Sequence, residues 1–451
     1  MRIYIDCTIT FNCTHNTGIQ RVVRNIVRES KSVGQQLGVK CTTVKFDGNN
    51  FRTFAPKTDR KVRILLVLMG KILKGISKLS YFLKRFLPAT WYSKLSLILS
   101  PHFIYLYSIY QKEQSESGVI LNSKRDYASE NHNINITEAS DHNILLLLDS
   151  NWDVKIWDAV EKFRDNGGHV CAVLFDLIPF SHPETVEKDT LKAHTSWWIG
   201  APLHVDSVMC ISKSVRDDFL LWQERHDLTR KLMSEKVGYF YLGANFDKPD
   251  LFNQVLTSHV PNFLVVGTLE PRKNHNLILD AFDILWTKKY QINLVIVGSI
   301  GWKSKKLLDR IQKHPEFRHR LFLIKDTSDH DLTLLYSKSE ALIIASLAEG
   351  FGLPIVEAFQ HETKVICSDI PVFREVAGDH AVYFDPTNPA NLANKVSEST
   401  SSQRNGRYQK KSVTKEWISW KESTEQLLTR VIAITTNSEK SPELSDDNDL
   451  S

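Results

Sequence analysis

Short apolar runs alternate with helix-compatible segments along most of this 451-residue chain. Such alternation is typical of parallel α/β domains, in which a crossover helix follows each buried strand. The first helix candidate places Ile19, Val22, Val23, Ile26 and Val27 on one face. The runs that predict strands are residues 3–6, 39–46, 144–149, 169–176 and 206–212 in the first half, and 263–268, 294–299, 321–324, 341–346, 365–369 and 381–385 in the second.

Two successive units of this kind predict two doubly wound, Rossmann-like α/β domains that face each other across a cleft. The apolar periodicity lapses near residues 237–261, so we place the first domain at residues 1–245 and the second at 246–435. Residues 436–451 are rich in Ser, Asp and Glu and predict a disordered tail. In this architecture a ligand binds at the carboxyl ends of the strands, in the cleft between the domains.

A basic segment interrupts the first domain within residues 50–140. Residues 57–94 carry ten Lys or Arg residues and one acid. Helical spacing puts Lys71, Lys74, Lys78 and Arg85 opposite an apolar face, a pattern that suits an anionic membrane surface. The alternative is an ordinary helix packed on the domain with its lysines in water. We favour peripheral membrane contact through residues 57–94.

Composition narrows the class of protein. The formal net charge of +5 is too small to indicate a nucleic-acid partner. The six cysteines form no C-x-x-C pair, which argues against a zinc cluster or a disulfide framework, and Cys171, Cys210 and Cys367 lie in apolar runs typical of a reduced core. Residues 1–6 predict a strand that ends in a charge rather than a signal peptide, and no apolar run reaches the ~20 residues of a membrane span. We expect a cytoplasmic protein, soluble or peripheral on the inner face of the membrane.

The strongest chemical signal follows the apolar run 341–346. It is the stretch Glu349-Gly350-Phe351-Gly352-Leu353-Pro354-Ile355-Val356-Glu357. Two glycines in a strand-to-helix turn let backbone N–H groups approach a ligand, and the helix N-terminus favours an anionic group. Glu349 and Glu357 are placed to accept bonds from sugar or ribose hydroxyls. Alternatively, Glu357 only complements the helix dipole.

Two further segments place anion-binding residues at strand ends. Arg272 and Lys273 follow the strand 263–268, where Arg272 is suited to bidentate phosphate binding and Lys273 adds a point charge. At the start of the N-terminal helix, Gly18 lies in a small-residue turn, Thr17-Gly18-Ile19-Gln20-Arg21, that would admit a phosphate. Taken singly, each is better explained as a surface loop; together with the turn at 349–357 they predict anion binding on strand ends of both domains.

At these residues the sequence resembles the family-4 retaining glycosyltransferases, and its N-terminal half is similar to their bacterial polysaccharide branch. The resemblance rests on G-T-L-E-P-R-K-N at 267–274 and E-G-F-G-L-P-I-V-E at 349–357, and it covers residues 263–391. It extends to residues 1–48 and 144–245 through the turn at 17–21 and the stretch Asp176-Leu177-Ile178-Pro179. It implies the GT-B architecture and a nucleotide-sugar donor in the cleft. In that arrangement Glu357 would hold the ribose, Arg272 and Lys273 the diphosphate, and Glu349 with Gly350, Phe351, Gly352 and Leu353 the transferred hexose.

One position departs from the family. Many relatives have a histidine at the end of an N-domain strand near the sugar, whereas this strand ends in Asp176. Asp176 either hydrogen-bonds the sugar, which we favour, or caps the next turn. His182 and Glu184 line the acceptor side or form an exposed loop.

A divalent metal is not expected. Asp329-His330-Asp331 mimics the acidic metal motif of other transferases, but it precedes a helical stretch, so capping explains it better. Arg272 and Lys273 are available to neutralise the leaving diphosphate in place of a metal.

The sequence therefore predicts a metal-independent retaining hexosyltransferase of bacterial surface-polysaccharide biosynthesis, with no bound cofactor. Its substrates would be a nucleotide sugar, GDP-mannose by analogy with polysaccharide relatives, and a glycan or lipid-linked acceptor. Two alternatives stay open. A nucleotide-sugar isomerase on the same architecture would release an altered sugar nucleotide without any acceptor. A non-catalytic sugar-binding scaffold would bind the donor without hydrolysis or transfer.

Overall fold

The structure is a computed structural model that describes residues 1–13, 18–53, 136, 142–244, 260–325, 327–404 and 417–436. The basic segment 57–94, Thr17 and residues 437–451 of the predicted tail lie outside the described residues.

The first domain is built on a seven-stranded sheet with the order β3-β2-β1-β4-β5-β6-β7. All neighbours are parallel except β3, which runs antiparallel to β2. The predicted strands are confirmed; β3 and β7 were not predicted, because each is only three residues long. The strands are β1 (Arg2–Asp6), β2 (Lys40–Phe46), β3 (Phe51–Thr53), β4 (Ile144–Leu147), β5 (His169–Leu174), β6 (Ser207–Cys210) and β7 (Val237–Tyr239). The helices are α1 (Thr8–Asn12), α2 (Gly18–Gln36), α3 (Trp157–Asp165), α4 (Ile178–Ser181), α5 (Lys188–His204) and α6 (Lys213–Arg225).

The second domain has a six-stranded parallel sheet with the order β10-β9-β8-β11-β12-β13. This is the strand order of a doubly wound nucleotide-binding sheet. The chain adds strands on one side of β8 and then, from β11 onward, on the other side, so the switch point of the topology lies between β8 and β11. The strands are β8 (Asn262–Val266), β9 (Asn293–Val297), β10 (Leu321–Ile324), β11 (Ala341–Ile344), β12 (Lys364–Ser368) and β13 (Ala381–Phe384). The helices are α7 (His275–Thr287), α8 (Lys305–Gln312), α9 (Asp329–Lys338), α10 (Leu353–Gln360), α11 (Pro371–Ala377), α12 (Pro389–Arg404) and α13 (Trp420–Thr436).

Helices cover both faces of the sheets, so the central strands are mostly apolar. All four residues of β4, Ile-Leu-Leu-Leu, are buried, as a strand packed on both faces requires. One apolar cluster is continuous across both domains and includes Ile3, Phe240, Leu264 and Phe351. The domains therefore meet through an apolar contact as well as polar ones. All six cysteines are free, and the predicted core cysteines Cys171, Cys210 and Cys367 are buried.

The last helix crosses back to the first domain. α13 packs against α2, and Ser423 Oγ donates to the carbonyl oxygen of Tyr241 at 2.7 Å. Trp417 Nε1 donates to the carbonyl oxygen of Leu242 at 2.7 Å, and Trp420 is fully buried beside Gly243. Residues that follow the second sheet in the chain thus complete the core of the first. None of the helices described has the length and apolar character needed to cross a bilayer.

Candidate active site

The predicted phosphate-binding loop and glycine turn meet at the switch point of the second sheet. Arg272 and Lys273 lie in a short 3-10 turn after β8, and Glu349 follows the neighbouring strand β11. The backbone N–H of Leu347 donates to the carbonyl oxygen of Arg272 at 2.9 Å, and Arg272 Nη1 donates to the carbonyl oxygen of Ala348 at 2.9 Å. Two segments 76 residues apart are thus held together at the edge where doubly wound sheets bind ligands.

Four side chains in these loops form one buried charge cluster. Arg272 donates through Nη1 to Glu349 and through Nη2 to Glu270, the latter at 2.6 Å. Lys273 pairs with the other oxygen of Glu349. That oxygen also accepts from Ser346 Oγ at 2.7 Å. Glu349 therefore holds both cations in place through its two carboxylate oxygens.

The cations decide the protonation of Glu349. Burial acts to raise its pKa, but Arg272 and Lys273 outweigh burial and lower the pKa to about 2. Burial acts to lower the pKa of Arg272, whereas Glu349 and Glu270 raise it above its ordinary value. Burial prevails at Glu270, whose pKa is raised. At neutral pH the site therefore contains an ionised Glu349 between two cations.

The turn that contains Gly350 and Gly352 packs against the first domain. Gly352 has a φ of 99°, which favours glycine, and immediately precedes α10. A Cβ on Gly350 would lie 2.1 Å from the carbonyl oxygen of Phe175, so this close approach requires glycine. Ser212 Oγ donates to the carbonyl oxygen of Gly350 at 2.8 Å. The turn predicted to contact the hexose thus lies at the interface between the domains.

The two residues that flank Gly352 both pack in the apolar cluster that the two domains share. The Phe351 side chain is buried in the apolar cluster, with its ring 5.8 Å from that of Trp417. Leu353 begins α10 and packs against the same cluster. Any contact of Phe351 with a ligand would therefore come from its backbone.

Asp176 lies just after β5 and faces the charge cluster. Its Oδ1 accepts from the backbone N–H of Ile178 at 3.1 Å, which is the turn-capping bond considered from the sequence. Burial raises the pKa of Asp176, and Arg272 partly opposes the rise. Sequence reasoning missed His194, a buried side chain in α5; burial lowers the pKa of His194 to about 4, although the nearby backbone of Asp176 acts to raise it.

Glu357 is bound from both domains. Its side chain is 2% exposed, and Oε2 accepts from the Tyr336 hydroxyl at 2.8 Å. Its other oxygen pairs with Arg21 of α2, in the first domain. Gly18 begins that helix, one turn before Arg21. The pairing of Glu357 with Arg21 could not have been found from the sequence, since the two residues are 336 positions apart and that spacing carries no signal.

The remaining sequence candidates are residues 329–331 at the start of α9, and His182 and Glu184 after α4. Ser328 caps α9 by accepting from the backbone N–H of Asp331 at 3.1 Å, so Asp329-His330-Asp331 forms the first turn of a helix. Across the cleft, Lys303 Nζ donates to the carbonyl oxygen of Glu184 at 2.8 Å. Within the first domain, His182 Nδ1 lies 2.9 Å from Oγ of the adjacent Ser181. Trp302 Nε1 donates to the carbonyl oxygen of Thr185 at 2.6 Å. Within the described ranges no three His, Cys, Asp or Glu side chains are grouped to hold a metal.

Residues 247–415 match the family model described as "Glycosyl transferases group 1". A serotype-specific mannosyltransferase WbdA of Escherichia coli is 36% identical over 281 residues, which are 60% of this chain and 34% of that protein. The O-antigen chain mannosyltransferase RfbU of Salmonella typhimurium is 29% identical over 213 residues, 47% of this chain and 55% of that protein. The chain thus spans about a third of the length of WbdA and about half that of RfbU.

Solved structures resemble the whole fold. A glycosyltransferase from Rickettsia africae has a TM-score of 0.54 at 13% identity, covering 97% of this chain and 99% of that one. The Anabaena protein Alr3699/HepE, solved with UDP and glucose, has a TM-score of 0.53 at 12% identity, covering 96% and 99%. These similarities confirm the GT-B architecture. The matched residues include both the Arg272 loop and the Glu349 turn, so the second domain is similar to the glycosyl transferases group 1 family.

Proposed function

We propose that the chain is a retaining hexosyltransferase that moves mannose from a nucleotide sugar to a growing glycan or lipid-linked acceptor in O-antigen biosynthesis. The observation that carries the proposal is the meeting of Arg272, Lys273 and Glu349 at the switch point that faces the other domain. The names of WbdA and RfbU, both mannosyltransferases, support the sugar and the pathway.

The chemistry follows from where the cations lie. The bond between the anomeric carbon and the diphosphate oxygen breaks while the acceptor oxygen bonds to that carbon on the same face. The acceptor proton passes to the departing phosphate. Arg272 and Lys273 neutralise the charge that grows on the leaving group, which makes a metal unnecessary. Glu349, held ionised by the same cations, lies beside the transferred hexose.

Other residues bind the donor. Glu357 accepts a bond from the ribose, and the turn at Gly18 admits a phosphate at the N-terminus of α2. Asp176 hydrogen-bonds the hexose from the side of the first domain. The backbone from Gly350 to Leu353 supplies N–H groups toward the sugar.

The test is a transfer assay with the full chain. Purified protein is incubated with GDP-mannose, UDP-glucose and related donors, with and without an oligomannose acceptor, and product is followed by mass spectrometry and NMR. We expect acceptor-dependent release of GDP and an α-linked mannose, unchanged by EDTA. An altered sugar nucleotide formed without acceptor would identify an isomerase, and donor binding without turnover would identify a scaffold.

Peripheral membrane contact belongs to the same proposal, and only the sequence of residues 57–94 supports it. Each basic residue near an anionic surface contributes on the order of 1 kcal/mol, and salt weakens that attraction. The protein should sediment with anionic vesicles and be partly released at high salt. Replacing Lys71, Lys74, Lys78 and Arg85 by Gln should abolish sedimentation and spare transfer to a soluble acceptor. Unchanged sedimentation of that variant would exclude the basic face as the contact.

A further inference from the structure

One arginine of the first domain reaches the donor half of the molecule. Arg21 lies in the first turn of α2, and its Nη1 pairs with Oε1 of Glu357 in α10. The Tyr336 hydroxyl donates to Oε2 of the same carboxylate at 2.8 Å. The two oxygens of Glu357 are thus held by residues from different domains.

Bonds to both oxygens fix the plane of the carboxylate. Arg21 contacts one oxygen and Tyr336 the other, so rotation of the carboxylate would break at least one of these bonds. The Glu357 side chain is 2% exposed and that of Arg21 is 23% exposed, so the pair is largely withdrawn from water. A charged hydrogen bond in such surroundings is strong and keeps its geometry.

The interface does not depend on Arg21 alone. Glu375 of α11 accepts from the backbone N–H groups of Lys213 and Ser214, at 2.6 and 2.7 Å, at the start of α6. An apolar cluster is also continuous between the domains. Contact between the domains should therefore persist when the Arg21 side chain is removed.

We infer that Arg21 is a positioning residue for the donor: it orients the Glu357 carboxylate toward the ribose, so that the ribose site is complete only when α2 and α10 are together. The inference rests on the proposed function, because it takes Glu357 as the ribose acceptor. Arg21 acts through Glu357 and not on the reacting atoms. Its loss should therefore weaken binding of ground state and transition state alike.

The experiment compares Arg21→Ala, Arg21→Lys and Arg28→Ala in the full chain. Arg28 lies on the same helix, pairs with Glu29 at the surface, and serves as the matched control. Affinity for GDP and for UDP is measured by calorimetry, and KM and kcat are measured with the donor that the parent protein uses. We expect Arg21→Ala to raise Kd and donor KM by about 10-fold or more with kcat little changed, Arg21→Lys to restore part of the affinity, and Arg28→Ala to match the parent.

A double-mutant cycle with Glu357→Gln keeps the inference testable if Arg21→Ala folds poorly. Arg21→Gln combined with Glu357→Gln leaves no unpaired buried charge. We expect Arg21→Gln to add little to the loss in Glu357→Gln, since both remove the same oriented carboxylate. Parent-like affinity in Arg21→Ala, a fall in kcat at unchanged KM, or full additivity would each overturn the inference. A parent protein that binds neither nucleotide and transfers no sugar would instead remove the proposed function, and Arg21's role with it.

Discussion

At the switch point of the first sheet, between β1 and β4, the strand ends carry Asp6 and Asp149, whereas the same point of the second sheet carries Arg272 opposite Glu349. Asp6 and Asp149 are buried and held by small polar groups. Thr8 donates its backbone N–H to Asp6 at 3.2 Å, and Thr10 donates its own to Asp149 at 2.6 Å. The two crevices have the same topology but different chemistry.

The two crevices differ in the protonation of their buried carboxyl groups. Burial, reinforced by Asp149, raises the pKa of Asp6 to about 7. At Glu349 the neighbouring cations outweigh burial and lower the pKa to about 2. Burial alone therefore does not set the charge of a carboxyl at a strand end, because the charges of the neighbouring side chains also shift its pKa. The crevice proposed to hold the diphosphate is the one in which Arg272 and Lys273 lie.

The largest effect is expected when the Arg272 cation is removed from the second crevice. Arg272→Ala should lower kcat/KM by roughly 10²-fold or more, because in the proposed mechanism the guanidinium stabilises the charge that grows as the diphosphate leaves. Steady-state transfer assays measure it, with circular dichroism to verify folding. Arg374→Ala, at an exposed ion pair with Asp369, is the control and should keep parent activity. Near-normal turnover in folded Arg272→Ala would remove the clamp from the mechanism.

The pH dependence of stability should differ in sign between the two crevices. Glu349 has a folded pKa below its ordinary value, so its contribution, on the order of 3 kcal/mol, is present above pH 4.5 and lost as pH falls toward 2. Asp6 has a raised folded pKa, so its contribution is present below pH 3.8 and lost as pH rises through 7.

Urea unfolding from pH 2.5 to 8 measures both effects. The free-energy difference between the parent and Glu349→Gln should shrink in acid. That between the parent and Asp6→Asn should shrink toward neutral pH. Parallel curves for either pair would contradict the assigned pKa direction of that residue.

A smaller effect should follow from filling the space at Gly350. A Cβ there would meet the Phe175 carbonyl, a backbone atom with little freedom to move, so Gly350→Ala should cost about 1–3 kcal/mol at the domain contact. Gly200→Ala is the matched control: nothing lies within 4 Å of its added Cβ, and a helical position should gain up to about 1 kcal/mol. Urea unfolding compares them, and equal stability of the two variants would argue against a tight contact at Gly350.

The smallest effect is expected from comparing two helix caps, one that lies within a single domain and one that also bonds to the other domain. Ser212 Oγ accepts from the backbone N–H of Val215 at 3.1 Å and donates to Gly350, whereas Ser328 caps α9 within its own domain. Each Ser→Ala change should cost about 1 kcal/mol for the lost cap. Ser212→Ala should cost up to about 1 kcal/mol more for the bond between domains. Equal losses would mean that this bond adds nothing measurable.

Much of the fold could be predicted because parallel strands buried on both faces are continuous apolar runs. β7 could not, since Val-Gly-Tyr is too short to show a pattern. Arg272 and Glu349 were each placed at strand ends, and parallel topology brings such ends to one edge. Their pairing, and that of Arg21 with Glu357, depends on how the loops and domains meet, which residue spacing does not encode.

The return of α13 to the first domain has a consequence for how the chain folds during synthesis. Leu242 receives its hydrogen bond from Trp417, 175 residues further along the chain, and the buried Trp420 and Leu427 belong to the same cluster as Ile3. The first domain therefore leaves the ribosome with apolar surface uncovered until the second domain has emerged. Contacts so distant in sequence form slowly, and exposed apolar surface favours aggregation meanwhile. A truncation that ends before Trp417 should accumulate as insoluble protein, even though it retains every strand of both sheets.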